Sequence, residues 1–570
     1  MFPPSRPPRS LLLGILIVLI ILGIGLRSLH PGHKIHMGDE IISSLRIAGH
    51  RVADMLDHPA CTGEPHTAAE LKTFLRPQSP PNPWPVLRSI SEVGAQHPPF
   101  YFLQLWGWAS LFGSSIGTLR GLSVLYGILC IPAMYFLGRE LFPKNSQAAY
   151  AAAIAATAIA VSPFHILYSQ MARQSSLWIL LTIVSNWALL RALRTDGDRR
   201  FWRIYGLTSL LNLYTFAFTG IIILGQMLFL RSLKGHHPPA RYRHWFTHGK
   251  DTLKFLGLAY LPWALVSLLA LRNLISATKH LASTEGMTRV GVFLTWLQSL
   301  GRLWVDLRYP LSPYPEGDWG RWLPAIAIAA FTFYVLLWLL GRWGSTGTLE
   351  RARERGDHCD RDRLHFLLSS LIFPGLLLIA ADLILGGQRS AEVRYWAPSW
   401  LALELAIAYF LSVHITEGST WKRRLWSALT VGLLVASLGS SGHANAARLW
   451  WSNDSASILG DFPEEIRILN QEPPTPNLVG HSGWNRLLLF SYYLRDDVKL
   501  HWFCQSNRDG GFDTARLRPD ESWIFYRPDG NLQWHLTTSG DRLEPIAPHL
   551  PKLMRVIPAR RSAPTPPQPE

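Results

Sequence analysis

A series of apolar segments divides the sequence, and each is close to the length that crosses a lipid bilayer. The first runs from Leu11 to Leu26, and others recur as far as about residue 441. A helix needs about 20 mostly apolar residues to cross the hydrocarbon core. Because 48% of the 570 residues are hydrophobic and gather in these runs, the pattern predicts an α-helical polytopic membrane protein.

Basic residues occupy the short loops between the apolar segments, and their distribution predicts the topology. The net charge is +16, and much of it lies in short loops such as Lys422-Arg423-Arg424. Short loops rich in Lys and Arg stay on the cytoplasmic side of a membrane. We therefore expect no nucleic-acid partner, and we interpret the charge as orienting the chain and attracting anionic lipids or phosphorylated substrates. Arg6 and Arg9 place the N-terminus in the cytoplasm.

The apolar stretch at 201–233 determines how many segments are expected. A single span there would place Arg231, Lys234 and the later basic loops outside, against the charge rule. Two short helices that turn near Tyr214-Thr215-Phe216 keep every short basic loop inside. The sequence then predicts about 11 transmembrane helices, at about 11–26, 116–138, 148–162, 175–194, 201–233 (the pair), 252–271, 321–341, 365–385, 394–413 and 425–441.

The apolar segments also divide the chain into predicted regions. Residues 1–441 form a transmembrane domain with a large extracytoplasmic first loop at 27–115, whose aromatic end up to Phe112 predicts an interfacial helix. Residues 442–557 alternate strand-like and helix-like segments, which predicts a small extracytoplasmic α/β domain. The Pro-rich tail at 558–570 is expected to be disordered.

The four cysteines indicate no metal site. None of Cys61, Cys130, Cys359 and Cys504 stands in a CxxC pair or another metal-binding spacing. Cys61 and Cys504 would both lie outside the membrane and could pair, but the sequence does not lead us to predict that disulfide.

Several loops predicted to face outward carry polar side chains, and together these suggest chemistry on a phosphate-bearing lipid. Arginine side chains hold phosphate oxygens in a bidentate way. A carboxylate can take the proton from an incoming hydroxyl or amine, and a lipid phosphate leaves readily once its charge is stabilised. The candidate residues are Asp39, Glu40, Gln96, His97, Tyr168, Gln170, Arg173, Arg389, Arg394 and Tyr395.

Structural roles remain open for the acidic candidates. Asp39 and Glu40 begin a stretch with helical spacing of apolar residues, so they could serve only as an acidic helix N-terminus, worth about 1 kcal/mol. Asp382 and Glu404 fall inside predicted spans, where an ionisable residue is a candidate for function. Glu404 could equally be a partner for a neighbouring helix.

A series of short motifs follows a characteristic order and spacing along the chain. These motifs are Asp39-Glu40, His97-Pro98-Pro99-Phe100-Tyr101-Phe102-Leu103, Leu111-Phe112-Gly113, Leu119-Arg120, Tyr135-Phe136-Leu137-Gly138-Arg139-Glu140-Leu141-Phe142, Ser162-Pro163-Phe164-His165, Tyr168-Ser169-Gln170 and Ala172-Arg173. Together they resemble the integral-membrane glycosyltransferases of the protein O-mannosyltransferase and aminoarabinose transferase group, glycosyltransferase families 39 and 83. The resemblance is good over residues 30–230 and weaker to about 415.

The resemblance implies a GT-C fold and transfer of a sugar from a polyprenyl-phosphate carrier at the extracytoplasmic face, usually with inversion. It assigns the general base to Asp39, with Glu40 supporting the site, and the carrier phosphate to His97. Arg173, Arg394 and Tyr395 would contact the phosphate or the lipid-sugar, and we add Tyr168, Gln170 and Arg389 as substrate-binding candidates. The acceptor would be a glycan, a lipid or a protein, and the location the inner (plasma) membrane.

Departures from the family pattern at Gln96, Met171 and Phe216 bear on this interpretation, and the lysine that some relatives use in the turn near Phe216 has no counterpart here. Gln96 stands where some relatives have a metal-binding glutamate, so we predict no metal ligand and leave the cofactor unknown. Met171 replaces a glutamate and Phe216 replaces a histidine of close relatives, so Glu404 or Glu392 would have to supply a second acidic group. An inactive member of the family, a lipid-linked sugar flippase and a non-catalytic component of cell-envelope glycan assembly are the alternatives.

Overall fold

The computed structural model describes residues 9–36, 38–78, 80–93, 97–142, 146–195, 198–235, 237–272, 288–306, 323–344, 359–449, 461–473, 475–504, 512, 516–518, 521–528, 533, 536–538 and 540–557. Gln96 and the tail at 558–570 therefore lie outside the described residues. The chain divides into two compact units: Met1–Lys34 with Ile90–Trp451, and Ile35–Ser89 with Ser452–Glu570.

The first unit is helical. Eight of its described helices contain a stretch that is long and apolar enough to cross a membrane; they are Arg9–Ser28, Ile116–Leu141, Ser175–Arg194, Pro239–Leu269, Leu323–Gly344, Cys359–Leu385, Ala397–Thr416 and Thr420–Ala446. Each contains one of the predicted spans or most of it. The helices Phe100–Phe112 and Arg289–Trp304 are shorter.

A broken helix forms a ninth candidate span. Its halves, Ser146–Val161 and Pro163–Ser169, meet at an angle of 56°. Pro163 has no N–H to donate and fits the first position of a new helix. The Ser162 hydroxyl accepts a hydrogen bond from the His165 backbone N–H and so caps the second half. The first half ends at Val161, close to the predicted end of the span at about 148–162.

A pair of short helices, Arg199–Leu213 and Thr219–Ser232, fills the stretch whose topology was ambiguous. At 1.5 Å per residue, each is roughly 20 Å long and shorter than a hydrocarbon core of about 30 Å. The Phe100 N–H donates to the Tyr214 carbonyl at 3.0 Å, so the turn between them is tied to the start of helix Phe100–Phe112. The predicted pair is confirmed, and with it the helical membrane fold.

Among its described residues the second unit has six strands, which are β1 (His66–Thr67), β2 (Asn477–His481), β3 (Lys499–Phe503), β4 (Trp523–Tyr526), β5 (Arg542–Pro545) and β6 (Leu553–Ile557). They form one sheet of order β1-β3-β2-β4-β6-β5. Strand β2 is parallel to both β3 and β4, and the remaining pairings are antiparallel. Central parallel strands are covered on both faces, and every residue of β4 is buried. The main helices of this unit are Gly38–Ile47, Val52–Leu56, Ala68–Lys72, Trp84–Val93, Phe462–Gln471 and Trp484–Tyr493.

A disulfide joins Cys61 to Cys504, with Cα atoms 4.9 Å apart. This pairing was not predicted from the sequence, because it depends on the order of the strands in the sheet. Strand β1 comes from the first loop and pairs with β3, His66 opposite Leu500, which brings the two cysteines together across 443 residues of sequence. A two-residue strand leaves no recognisable alternation in the sequence, so this pairing could not be anticipated.

Candidate active site

His97 lies at the centre of a polar cluster in the first unit, just before helix Phe100–Phe112. Its Nδ1 is 2.9 Å from the side-chain Nε2 of Gln174, and its Nε2 is 3.5 Å from Nη2 of Arg173. The ring of Phe216 lies parallel to the imidazole, at 13° and 6.0 Å between centroids. The His97 ring is therefore held at one edge by an amide and on one face by an aromatic ring.

Arg173 and Gln174 are placed by the segment that follows the broken helix. Both side chains are buried. The Arg173 carbonyl accepts from the Ser123 hydroxyl at 3.3 Å, and Ser123 in turn lies 2.8 Å from the Tyr101 hydroxyl. These bonds fix the backbone of a buried cation, and buried arginine is suited to binding a phosphate.

The predicted candidates Tyr168 and Gln170 hold this same segment in place. Gln170 Nε2 donates to the carbonyls of Leu26 and Arg27, at 3.0 and 3.3 Å. The Tyr168 carbonyl accepts from the Ser176 hydroxyl at 3.1 Å. These hydrogen bonds hold the segment that carries Arg173 against neighbouring parts of the first unit.

A row of aromatic rings extends from His97. Phe216 lies 5.2 Å from Phe218, and Phe218 stacks on Tyr395 at 4.3 Å and 16°. A small apolar pocket opens beside this row, lined by Trp178, Phe218, Ile221, Ile222, Pro374, Leu378, Tyr395 and Pro398. The polar cluster thus continues into an aromatic and apolar surface. Phe216, known from the sequence only as a departure from the family pattern, is part of it.

The two later arginines are paired with nearby carboxylates. Arg394 Nη2 lies 3.3 Å from Glu392, and its guanidinium sits over the Tyr395 ring at 5.5 Å. Arg389 Nη1 lies 3.2 Å from Asp382, whose carboxylate also accepts from the Arg389 backbone N–H at 2.9 Å. The Asp382 carboxylate therefore holds in place the loop that carries Arg389.

Glu404 lies at a buried contact between helices. His165 Nε2 is 3.1 Å from both carboxylate oxygens of Glu404, and the side chains are only 3% and 1% exposed. The contact connects the second half of the broken helix to helix Ala397–Thr416. This geometry gives Glu404 a partner on a neighbouring helix, which is one of the two roles considered for it.

Asp39 and Glu40 belong to the second unit, in the first turn of helix Gly38–Ile47, as the sequence predicts. Asp39 is half-buried and Glu40 is fully buried. Acidic side chains in this turn are favoured by the helix dipole. The Cα of Gly38 faces Asn485, since a Cβ there would lie 3.4 Å from its Nδ2. The helix therefore begins beside the start of helix Trp484–Tyr493.

Sequence reasoning overlooked Gln174, although it directly follows Arg173. An amide carries no charge or reactivity that a motif search would single out. Within the described ranges, no group of three His, Cys, Asp or Glu side chains is placed to hold a metal ion. We therefore derive no step through a metal.

A family model for dolichyl-phosphate-mannose-protein mannosyltransferases matches residues 96–238. This range contains His97, Arg173 and Phe216. No curated protein is similar enough in sequence to match the chain.

Solved structures similar to the chain include ArnT from Cupriavidus metallidurans bound to undecaprenyl phosphate. It is 12% identical, with a TM-score of 0.51, and the match covers 96% of this chain and 98% of ArnT. The oligosaccharyltransferase of Archaeoglobus fulgidus, in a complex with Zn and sulfate, is 15% identical, with a TM-score of 0.46 and coverage of 84% of this chain. The chain spans 61% of the length of that protein.

At 12% identity the likeness to ArnT concerns the fold, and it extends along nearly the whole of both chains. The mannosyltransferase family match covers the region that builds the polar cluster. The resemblance predicted from the sequence motifs is confirmed. The chain is therefore a multi-pass membrane protein whose fold is similar to that of ArnT, and its residues 96–238 match the mannosyltransferase family model.

Proposed function

We propose that this protein transfers a sugar from a polyprenyl-phosphate carrier to an acceptor at the extracytoplasmic face of the plasma membrane. The observation that carries the proposal is the cluster of His97, Arg173 and Gln174, within the region that matches the mannosyltransferase family. A buried cation beside an imidazole suits the phosphate of such a donor.

The donor lipid would lie along the row of aromatic rings. Phe216, Phe218 and Tyr395 continue from His97 toward an apolar pocket. A polyprenyl phosphate has an anionic head and an apolar tail, so a polar cluster that passes into an apolar surface matches both parts. ArnT, whose fold the chain shares, binds undecaprenyl phosphate in its solved structure.

The proposed reaction is a single displacement with inversion. Asp39 takes the proton from the acceptor nucleophile, whose oxygen or nitrogen forms a bond to the anomeric carbon. The bond from that carbon to the phosphate oxygen breaks, and the lipid phosphate leaves with the electron pair. His97 and Arg173 stabilise its charge. Asp39 takes the base role ahead of Glu40 because Glu40 is fully buried.

The proposed topology follows the basic loops. The N-terminus lies in the cytoplasm, and the region 442–557 lies outside, together with the first loop at 27–115. The acceptor belongs to the same face and is a glycan, a lipid or a protein.

The test is a mass profile of extracytoplasmic glycans and lipid-linked sugars in a host with the intact gene, a deletion or Asp39→Asn. We expect both mutants to lose one glycan modification and to accumulate the same polyprenyl-phosphate sugar. Asp57→Asn is the matched control, because Asp57 is an exposed acid of the same unit. If Asp39→Asn supports the full profile, Asp39 is not the base, and transport or assembly explains the deletion better.

A further inference from the structure

The parallel strands of the second unit end at an edge that the proposed transfer reaction does not use. From β2 the chain passes to β3 on one side, and then crosses to β4 on the other side of β2. Open α/β sheets bind ligands at the carboxyl ends of neighbouring strands whose connections run to opposite sides. In this unit that edge lies at His481 of β2 and Tyr526 of β4.

Two buried polar side chains at this edge, Arg486 and Tyr526, are close enough to interact electrostatically. Arg486 is in the first turn of helix Trp484–Tyr493 and is 9% exposed; Tyr526 ends β4 and is 0% exposed. Neither Nη1 of Arg486 nor the hydroxyl of Tyr526 has a hydrogen-bond partner among the described residues. Buried polar groups are nearly always satisfied, and an orphaned one costs about 1–3 kcal/mol. A ligand that accepts hydrogen bonds would satisfy both.

Further charged groups lie near this edge and closer to the solvent. Lys552 precedes β6, and its Nζ lies 2.8 Å from Asp461 at the start of helix Phe462–Gln471. The Arg527 N–H donates to the Lys552 carbonyl at 2.8 Å, and its guanidinium lies over the Tyr526 ring at 5.6 Å. Arg527 has a φ of +51°, which is uncommon for a residue other than glycine. Such outliers concentrate at ligand sites.

We propose that Arg486, Tyr526, Arg527 and Lys552 form a binding site for a phosphoryl group at the carboxyl edge of β2 and β4. The buried Arg486 and Tyr526 donate at the base, and Arg527 and Lys552 supply positive charge at the rim. Helix Trp484–Tyr493 begins at the same edge, and the positive end of its dipole favours an anion. The site is independent of the donor phosphate position that we propose at His97.

The protonation state of Glu465 sets the pH range in which this site binds an anion. It is buried in helix Phe462–Gln471, and burial raises its pKa to about 7, against the influence of Lys552, Arg486 and Arg527 and with that of Asp461. Protonated, it leaves three cations facing one carboxylate, a net charge that suits a dianion. Ionised, it repels the ligand. Affinity therefore falls as the pH rises above about 7, by up to about tenfold per pH unit.

Equilibrium dialysis tests the site by measuring how inorganic phosphate and sulfate bind to the full-length protein in detergent micelles. Sulfate serves for the pH series, because its charge stays constant between about pH 6 and pH 8. We expect saturable binding that Tyr526→Phe and Arg486→Gln each weaken at least tenfold. Tyr526→Phe keeps the ring packed on Phe490 and Trp502 and removes an unpartnered hydroxyl, so it should fold normally.

Two controls separate this site from the proposed donor site. Arg467→Gln removes an exposed arginine of the same unit that pairs with Glu464, and it should leave binding unchanged. His97→Ala should lower only anion binding at the proposed donor site and leave unchanged the part of the binding that Tyr526→Phe weakens. Glu465→Gln should remove the fall in sulfate affinity above pH 7. Absence of saturable binding, or binding that His97→Ala removes while Tyr526→Phe and Arg486→Gln leave it within twofold, overturns the proposal. Neither result bears on turnover by Asp39.

Discussion

Replacing Glu404 with leucine should strongly destabilise the helical unit. His165 and Glu404 contact each other at 3.1 Å and are almost completely buried, so removal of the carboxylate leaves the imidazole without that partner. Breaking a buried pair by removing one partner costs about 3–5 kcal/mol if the pair is charged and about 1–3 kcal/mol if it is a neutral hydrogen bond. We expect a loss of about 3 kcal/mol for Glu404→Leu and a similar loss for His165→Phe.

The double variant His165→Phe/Glu404→Leu should recover most of this loss. Replacing both members of a buried pair with apolar residues of similar volume is often neutral or stabilising. The measurement is the free energy of unfolding of the purified protein in mixed micelles. Its values for the wild type, both single variants and the double variant give the coupling energy directly. We expect the double variant to lie within about 1 kcal/mol of the wild type.

Turnover of the double variant distinguishes the two roles of Glu404. If Glu404 only pairs with His165, the double variant retains activity. If it supplies a second acidic group, the double variant is stable but inactive. Single variants that each cost less than about 1 kcal/mol would refute the argument from burial, because the pair would then contribute no more than an exposed one.

Three further predictions concern other parts of the chain. Gln174→Leu should lower turnover about tenfold to a hundredfold and shift its pH profile while leaving donor affinity nearly unchanged, because His97 loses the amide 2.9 Å from its Nδ1; equal losses of affinity and turnover would contradict a positioning role. Cys61→Ser/Cys504→Ser should lower the stability of the second unit by about 2–5 kcal/mol, and reductant should affect only the wild type; an unchanged melting temperature would count against a closed disulfide. Burial lowers the pKa of His501 from 6.5 to about 4, so below about pH 6.5 the unfolded chain binds a proton that the folded unit does not. The contribution of His501 to stability therefore falls by about 3 kcal/mol between about pH 6.5 and about pH 4. His501→Leu should remove this fall, while the opposite contribution of Glu465 remains in both proteins; parallel stability curves against pH would contradict the burial argument.

The features that the sequence predicted correctly depend on neighbours in the chain. The broken helix follows from Ser162-Pro163, since proline ends one helix and begins the next. The short helical pair around Tyr214 follows from the positions of the flanking basic residues. The start of helix Gly38–Ile47 follows from the acidic pair and the apolar spacing behind it.

Contacts between distant residues are what the sequence could not provide. The partner of Glu404 lies 239 residues away, Gln174 lies 77 residues from His97, and Cys504 lies 443 residues from Cys61. None of these partners differs locally from many other residues of its type. Only the packing of the helices and the order of the strands selects them.

The sequence by itself determined the membrane class, the apolar segments and the family resemblance, because hydropathy, charge and motif spacing are written along the chain. The tertiary structure decided that His97 rests against Gln174 and Phe216, and that a strand of the first loop joins the C-terminal sheet. It also decided that Arg486 and Tyr526 meet at the carboxyl edge of that sheet. Strand order and helix packing bring such residues together, and both depend on burial summed over the whole unit, which no local pattern records.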